Sequence, residues 1–113
     1  MFWLTYNNQA KADTILDKIA FSTREEAIDL SEWFLKKILD GKKVSISDIC
    51  DAALVTISDE DRKIFDHIGF EPSFTLLGKC PIDVSRVSKH WDRRDMYMVH
   101  FPLEFCELLE EST

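Results

Sequence analysis

Residues that interrupt chains are scarce in this sequence, with 3 Gly and 3 Pro among 113 residues. Isolated glycines cannot cradle a phosphate, so a Gly-rich nucleotide loop is excluded. The same scarcity implies compact elements joined by short loops. Cysteine is scarce as well. Cys50, Cys80 and Cys106 are odd in number and form no Cys-x-x-Cys pair. This excludes a closed secreted disulfide framework and fits reduced thiols in the cytoplasm. No apolar run approaches the roughly 18 residues that a membrane span needs. The opening Met1-Phe2-Trp3-Leu4-Thr5-Tyr6 lacks the basic start and small-residue cleavage site of a secretory leader. Positive charge is also short: 14 Lys and Arg against 21 Asp and Glu leave a net charge of −7. That balance argues against direct nucleic-acid binding, whose affinity comes from clustered Lys and Arg.

What is present is enough for one core. Apolar residues make up 45% of the chain, with 8 Phe, 3 Trp and 2 Tyr, which supports a packed interior over disorder. Charge is unevenly spread. Residues 21–60 carry nine acids and five bases, residues 61–100 six acids and seven bases, and the last 13 residues four Glu and no base. An acidic face and tail serve solubility first and attraction to a basic protein second.

The helix signals are the sharpest. Ser22-Thr23-Arg24-Glu25 reads as a capping box, with Thr23 to Glu26 as the register one residue later. Ala27, Leu30, Ser31, Phe34, Leu35 and Ile38 follow at helical spacing, Ile28 and Trp33 widen the apolar stripe, and Gly41 supplies a left-handed stop. A short helix capped by Ser47 comes next, after an extended Val44–Ile46 stretch. A third helix, capped by Ser58 and rich in acids at Asp59, Glu60 and Asp61, runs to Gly69.

Strands are read on either side. Phe2 to Asn7 alternates as a strand, and Asn7-Asn8 offers a turn. Ile15 to Phe21 reads as a second strand, its rival being a short helix on Ile15, Leu16, Ile19 and Ala20. Phe74–Leu77, the Ile82, Val84 and Val87 run, and Met96–Phe101 supply the closing strands, and Leu103–Leu109 forms a terminal turn or lies extended. The expected architecture is a single α+β domain over residues 1–113. An antiparallel sheet of about four to five strands would carry one long and two short helices on one face.

Chemistry-bearing constellations are weak. Cys80, His90, His100 and Cys106 lie too far apart in sequence for the ligand rhythm of a small zinc site. Cys50 and Cys106 sit among apolar neighbours as core thiols do. Cys80, in a Lys79-Cys80-Pro81 turn, is the least implausible nucleophile, and only with His90 or His100 brought near by the fold. The most unusual stretch is Lys89-His90-Trp91-Asp92-Arg93-Arg94-Asp95, which combines Trp with Arg as binding hot spots do. Its ordinary reading is a charged turn in which Asp92 and Asp95 neutralise Arg93 and Arg94. Trp3, Tyr6 and Trp33 read as core.

One resemblance accompanies these motifs. The run Phe21-Ser22-Thr23-Arg24-Glu25-Glu26-Ala27, the stop at Gly41, Val44-Ser45-Ile46-Ser47-Asp48-Ile49-Cys50-Asp51 and Ile68-Gly69-Phe70 resemble the layout of small domains from Gram-positive phages and mobile elements. In that layout a Thr/Glu-led long helix, a short V-T-V-x-D-L helix, a Gly-Trp pair and closing strands succeed one another. Phe70 stands here where the layout has Trp, Cys50 where it has an aromatic or apolar residue, and the Gly-rich hairpin is missing. The resemblance covers about residues 19–102 and implies a fold and a phage-like origin without an assigned chemistry.

The functional expectation is therefore a non-enzymatic protein-binding module that docks on a basic surface of a host protein, as small acidic anti-defence inhibitors do. No cofactor, metal, membrane or direct nucleic-acid contact is expected. The residues expected to meet a partner are Glu25, Glu26, Asp29 and Glu32 on the long helix, Trp91, Arg93 and Arg94 in the turn, and Glu107, Glu110 and Glu111 in the tail. The alternatives are a homo-oligomeric assembly subunit, or a ligand binder or enzyme built around Cys80, His90 and His100.

Overall fold

A computed structural model describes residues 6–73, 76 and 87–109 of the chain. Within them the fold is α+β, with four α-helices and two small antiparallel sheets.

The first element corrects the sequence reading. Tyr6–Asp17 is a helix, α1, where a strand, an Asn7-Asn8 turn and the start of a second strand were expected. The hidden signal is Ala12: with Leu16 and Ile19 it forms a buried stripe at helical spacing. Ile15 packs against the same cluster from its edge. Phe21 retains strand character only as an isolated antiparallel bridge to Tyr97. Phe2–Thr5 of the expected first strand lie outside the described residues.

The long helix α2, Arg24–Leu39, follows the expected logic. Its N-cap is Thr23, whose hydroxyl accepts from the Glu26 amide at 3.3 Å, so the later of the two capping registers holds. Ala27, Leu30, Phe34, Leu35 and Ile38 are buried. Phe34 sets its ring edge-on to Phe70 and to Phe101, each at 5.2 Å, a geometry favoured by the ring quadrupole. Gly41, at φ +76°, closes the helix. The Lys42 amide reaches the Lys37 carbonyl and the Gly41 amide that of Ile38, each at 3.0 Å, the double bond of a Schellman ending.

Next come β1 (Val44–Ser45) and α3 (Ile46–Ala52). The cap of α3 is Ser45 in place of the expected Ser47. Ser45 Oγ accepts from the Asp48 amide at 3.0 Å while Asp48 Oδ2 accepts from the Ser45 amide at 3.1 Å. That reciprocal box needs a carboxylate three residues after the cap, which Ser45 has and Ser47 lacks. Helix α4, Asp59–Phe65, is capped by Ser58 as expected. Arg62 of α4 forks onto the Asp51 carboxylate of α3 at 2.8 and 3.2 Å, and this bond holds the Asp51 carboxyl below its usual range.

The strands form two sheets where a single one was expected. In the first, β2 (Ile68–Phe70) is flanked by β1 and by β5 (Glu107–Leu108). Gly69, taken from sequence as a helix stop, sits mid-strand. A Cβ there would run into the Val44 carbonyl oxygen and lie 2.6 Å from Ser45 Cα, so the close approach of β1 requires glycine. In the second, β3 (Val87–Lys89) pairs with β4 (Tyr97–Val99) in the register Val87–Val99, Ser88–Met98 and Lys89–Tyr97. Helix α2 contacts β3, β4 and β1, and a single core cluster joins both sheets. Leu103–Phe105 makes a 3-10 turn before β5, so the terminal stretch is partly turn and partly extended. The expected strand at Phe74–Leu77 and the Ile82 and Val84 positions lie largely outside the described residues. No helix among the described residues is long and apolar enough to cross a membrane.

Candidate functional site

The outer face of α2 carries Glu25, Glu26, Asp29 and Glu32, all exposed. Glu25 to Glu32 spans two turns, roughly 10 Å along the axis. Among the described residues no ion pair takes any of the four carboxylates; the salt bridges there are Lys11–Asp61, Lys43–Glu71 and Arg62–Asp51. Burial of the opposite helix face fixes the stripe in place.

Chain direction places the Trp91 turn at one end of that helix. Residues 90–96 connect β3 to β4, and Phe21 pairs antiparallel with Tyr97 through amide–carbonyl bonds of 2.9 and 2.8 Å. Antiparallel pairing sends Ser22 and Thr23 toward the turn, after which α2 folds back over β3 and β4. The first turn of α2, with Glu25 and Glu26, therefore stands at the same end of the sheet as Trp91, Arg93 and Arg94. Asp29 and Glu32 follow farther along the helix. Glu107 is exposed on β5 of the other sheet, whereas Glu110 and Glu111 lie outside the described residues.

The turn is held from beneath by His90, which is buried at 4% exposure. Its Nδ1 accepts from the Asp92 amide at 3.1 Å and the Arg93 amide at 3.0 Å. A nitrogen that accepts two N–H bonds carries no proton, so Nε2 does, and it donates to the Asp17 carbonyl at 2.6 Å. His90 thus ties the end of α1 to the turn as one neutral tautomer. The indole of Trp91, 68% exposed, stacks on the His90 ring with centroids 5.8 Å apart and planes at 24°. Lys89 lies over the Tyr97 ring at 4.4 Å. Local neutralisation, the ordinary expectation for this segment, does not occur: among the described residues Asp92 and Asp95 make no ion pair with Arg93 or Arg94.

Ser88 Oγ and His100 Nε2 are 2.5 Å apart on the surface of β3 and β4. Burial first, and then the neighbouring Asp13, push the Asp17 carboxyl up. Both ring nitrogens of His90 are occupied, so it cannot serve as a base for Cys80, and Cys80 itself lies outside the described residues. Cys50 and Cys106 are buried free thiols, each pushed up to about 11 by burial first, the reverse of what a thiolate nucleophile requires. A groove of about 550 Å³ between α1 and α4 is lined by Lys11, Lys18 and Asp61 around Ile15 and Phe65. A second, near the end of α2, is lined by Trp33, Lys37, Lys42 and Lys43 with Asp48 and Asp51. Neither is lined by a histidine or a cysteine. Among the described residues no group of three or more His, Cys, Asp or Glu could hold a metal ion.

His90 is the functional-site residue whose role sequence reasoning missed. Its partner carbonyl is 73 positions away, and no local pattern encodes that. Comparison of the chain with protein-family models, with curated proteins and with solved structures returned no match.

Proposed function

We propose that this chain is a non-catalytic protein-binding module that docks through the α2 carboxylates on a basic surface of another protein. The observation that carries the reading is the set Glu25, Glu26, Asp29 and Glu32: four exposed carboxylates on one rigid helix face, none of them in an ion pair among the described residues. A cationic partner gains those interactions without first breaking internal ones, and a net charge of −7 adds long-range attraction. With the phage-like layout of the sequence, the reading becomes an inhibitor acting in the host cytoplasm. It would cover the nucleic-acid path of a defence or nucleic-acid-handling protein with carboxylates where phosphates otherwise lie, as anti-CRISPR inhibitors do.

The test is affinity capture from a Gram-positive host lysate over a salt series, with wild type beside a Glu25→Lys/Glu26→Lys/Asp29→Lys/Glu32→Lys chain. A partner retained at about 50 mM salt, released toward 500 mM and absent from the reversed chain is expected, because salt screens exposed charge pairs. Retention that ignores both salt and charge reversal contradicts the reading.

A further inference from the structure

The end of the molecule built by the α2 N-terminus and the Trp91 turn carries both signs of charge, and among the described residues neither Glu25 and Glu26 nor Arg93 and Arg94 form an ion pair. Glu25 and Glu26 are exposed on one side, and Arg93 and Arg94, flanked by the exposed Asp92 and Asp95, on the other. The Phe21–Tyr97 bridge sets the two sides next to each other, and yet no ion pair joins them among the described residues. Trp91 stands beside the arginines at 68% exposure. It is not a loose side chain: its ring rests on His90, which is pinned at both nitrogens. A fixed aromatic anchor gives up little freedom on binding.

These properties restrict the occupant. A nucleic acid or an acidic peptide would meet Arg93 and Arg94 but be repelled by Glu25 and Glu26. A uniformly basic surface would satisfy the glutamates and oppose the arginines. Only a surface with both signs in the reversed arrangement satisfies the whole end, and a second copy has that arrangement by construction. A two-fold contact places residue i against j and j against i. We propose that the chain self-associates through this end as a two-fold dimer. Arg93 and Arg94 of each copy meet Glu25 and Glu26 of the other, and Trp91 is covered at the centre. Net repulsion between two acidic copies does not prevent this. At physiological ionic strength the Debye length is about 8 Å, so distant charges are screened and contact pairs much less so.

The dimer goes beyond the function proposed above and does not depend on it, although both use Glu25 and Glu26, so a basic partner competes with the second copy. Sedimentation velocity of the full chain at 1–200 μM is the test, with circular dichroism confirming that each variant folds. Wild type is expected to shift from monomer to dimer mass across this range. Arg93→Glu/Arg94→Glu and Glu25→Arg/Glu26→Arg should each raise the midpoint at least tenfold, as should Trp91→Ala. Mixing the two charge-reversed chains should restore association, because positions 93 and 94 of each chain then meet the opposite charge at positions 25 and 26 of the other. A wild type that stays monomeric at 200 μM overturns the dimer, as does a mixture that sediments as two monomers. Host-partner capture in the lysate is scored separately: its loss with the dimer intact refutes only the inhibitor reading, and its persistence with a monomeric wild type refutes only the dimer.

Discussion

The Nε2 of His90 lies 2.6 Å from the main-chain carbonyl of Asp17, so one buried ring joins the end of α1 to the turn that presents Trp91. Its other nitrogen holds two turn amides. Replacing His90 by Leu leaves a carbonyl and two amides without partners at a site with little access to water. The expected cost is about 2–3 kcal/mol, at roughly 1 kcal/mol for each bond. His90→Asn, whose Oδ1 stands where Nδ1 did, should recover part of that loss by keeping the turn amides bonded. Urea unfolding of the three chains checks this, and equal stability of the Leu and Asn variants would count against the geometry.

Gly69 and Ser45 face each other across β1 and β2, too close for any side chain at position 69. Gly69→Ala should cost roughly 2 kcal/mol or more, because the neighbour is backbone and cannot move aside cheaply. Thermal unfolding measures it. A substitution that proves neutral would show that the strands sit farther apart than described.

Helices α2 and α3 end in the same Schellman bonds but with different residues at the left-handed position. Gly41 fills it after α2, and Leu54, at φ 60° and 92% exposed, fills it after α3. The Val55 amide reaches the Cys50 carbonyl at 2.8 Å and the Leu54 amide that of Asp51 at 3.2 Å. Leu54 buries almost nothing and sits in a conformation that costs an L-residue about 1 kcal/mol. Leu54→Gly should therefore stabilise the fold by about 0.5–1 kcal/mol, read as a higher urea midpoint with an unchanged slope. A lower midpoint would refute the strain argument.

Burial raises the thiols of Cys50 and Cys106 from an ordinary 9.0 to about 11. Between those values the unfolded chain releases protons that the folded chain keeps, so this contribution is intact below pH 9 and is lost as pH rises toward 11. Wild type should lose more stability between pH 8 and 10.5 than a Cys50→Ala/Cys106→Ala chain, whose own baseline is lower. Parallel stability curves for the two chains would contradict the sign. At pH 8 neither thiol should react with a disulfide reagent faster than the chain opens.

How much of this was legible in the sequence follows from where each signal lies. Helix α2 was readable because its cap, its apolar stripe and Gly41 all fall within one stretch of chain. Helix α4 was readable from Ser58 and the acids behind it. Helix α1 was not, because Ala12 is too small to stand out and Ile15, Ile19 and Phe21 mimic a strand. Strand β2 was misread because Gly69 looks like a stop until β1 is seen against it. The cap of α3 turned on one detail, Asp48 three places after Ser45. The acidic face of α2 was visible as a pattern. That Glu25 and Glu26 share an end with Arg93 and Arg94 depends on the Phe21–Tyr97 bridge, a long-range contact that no window of sequence reports.

The most direct measurement for the central claim is carboxylate footprinting. Carbodiimide labelling with glycine ethyl ester, read by mass spectrometry, would compare the free chain with the complex captured from host lysate at low salt. Glu25, Glu26, Asp29 and Glu32 should label readily in the free chain and be protected in the complex, with Glu60 on α4 unchanged. Labelling of those four that is the same in both states, in a complex that still forms, would contradict the account.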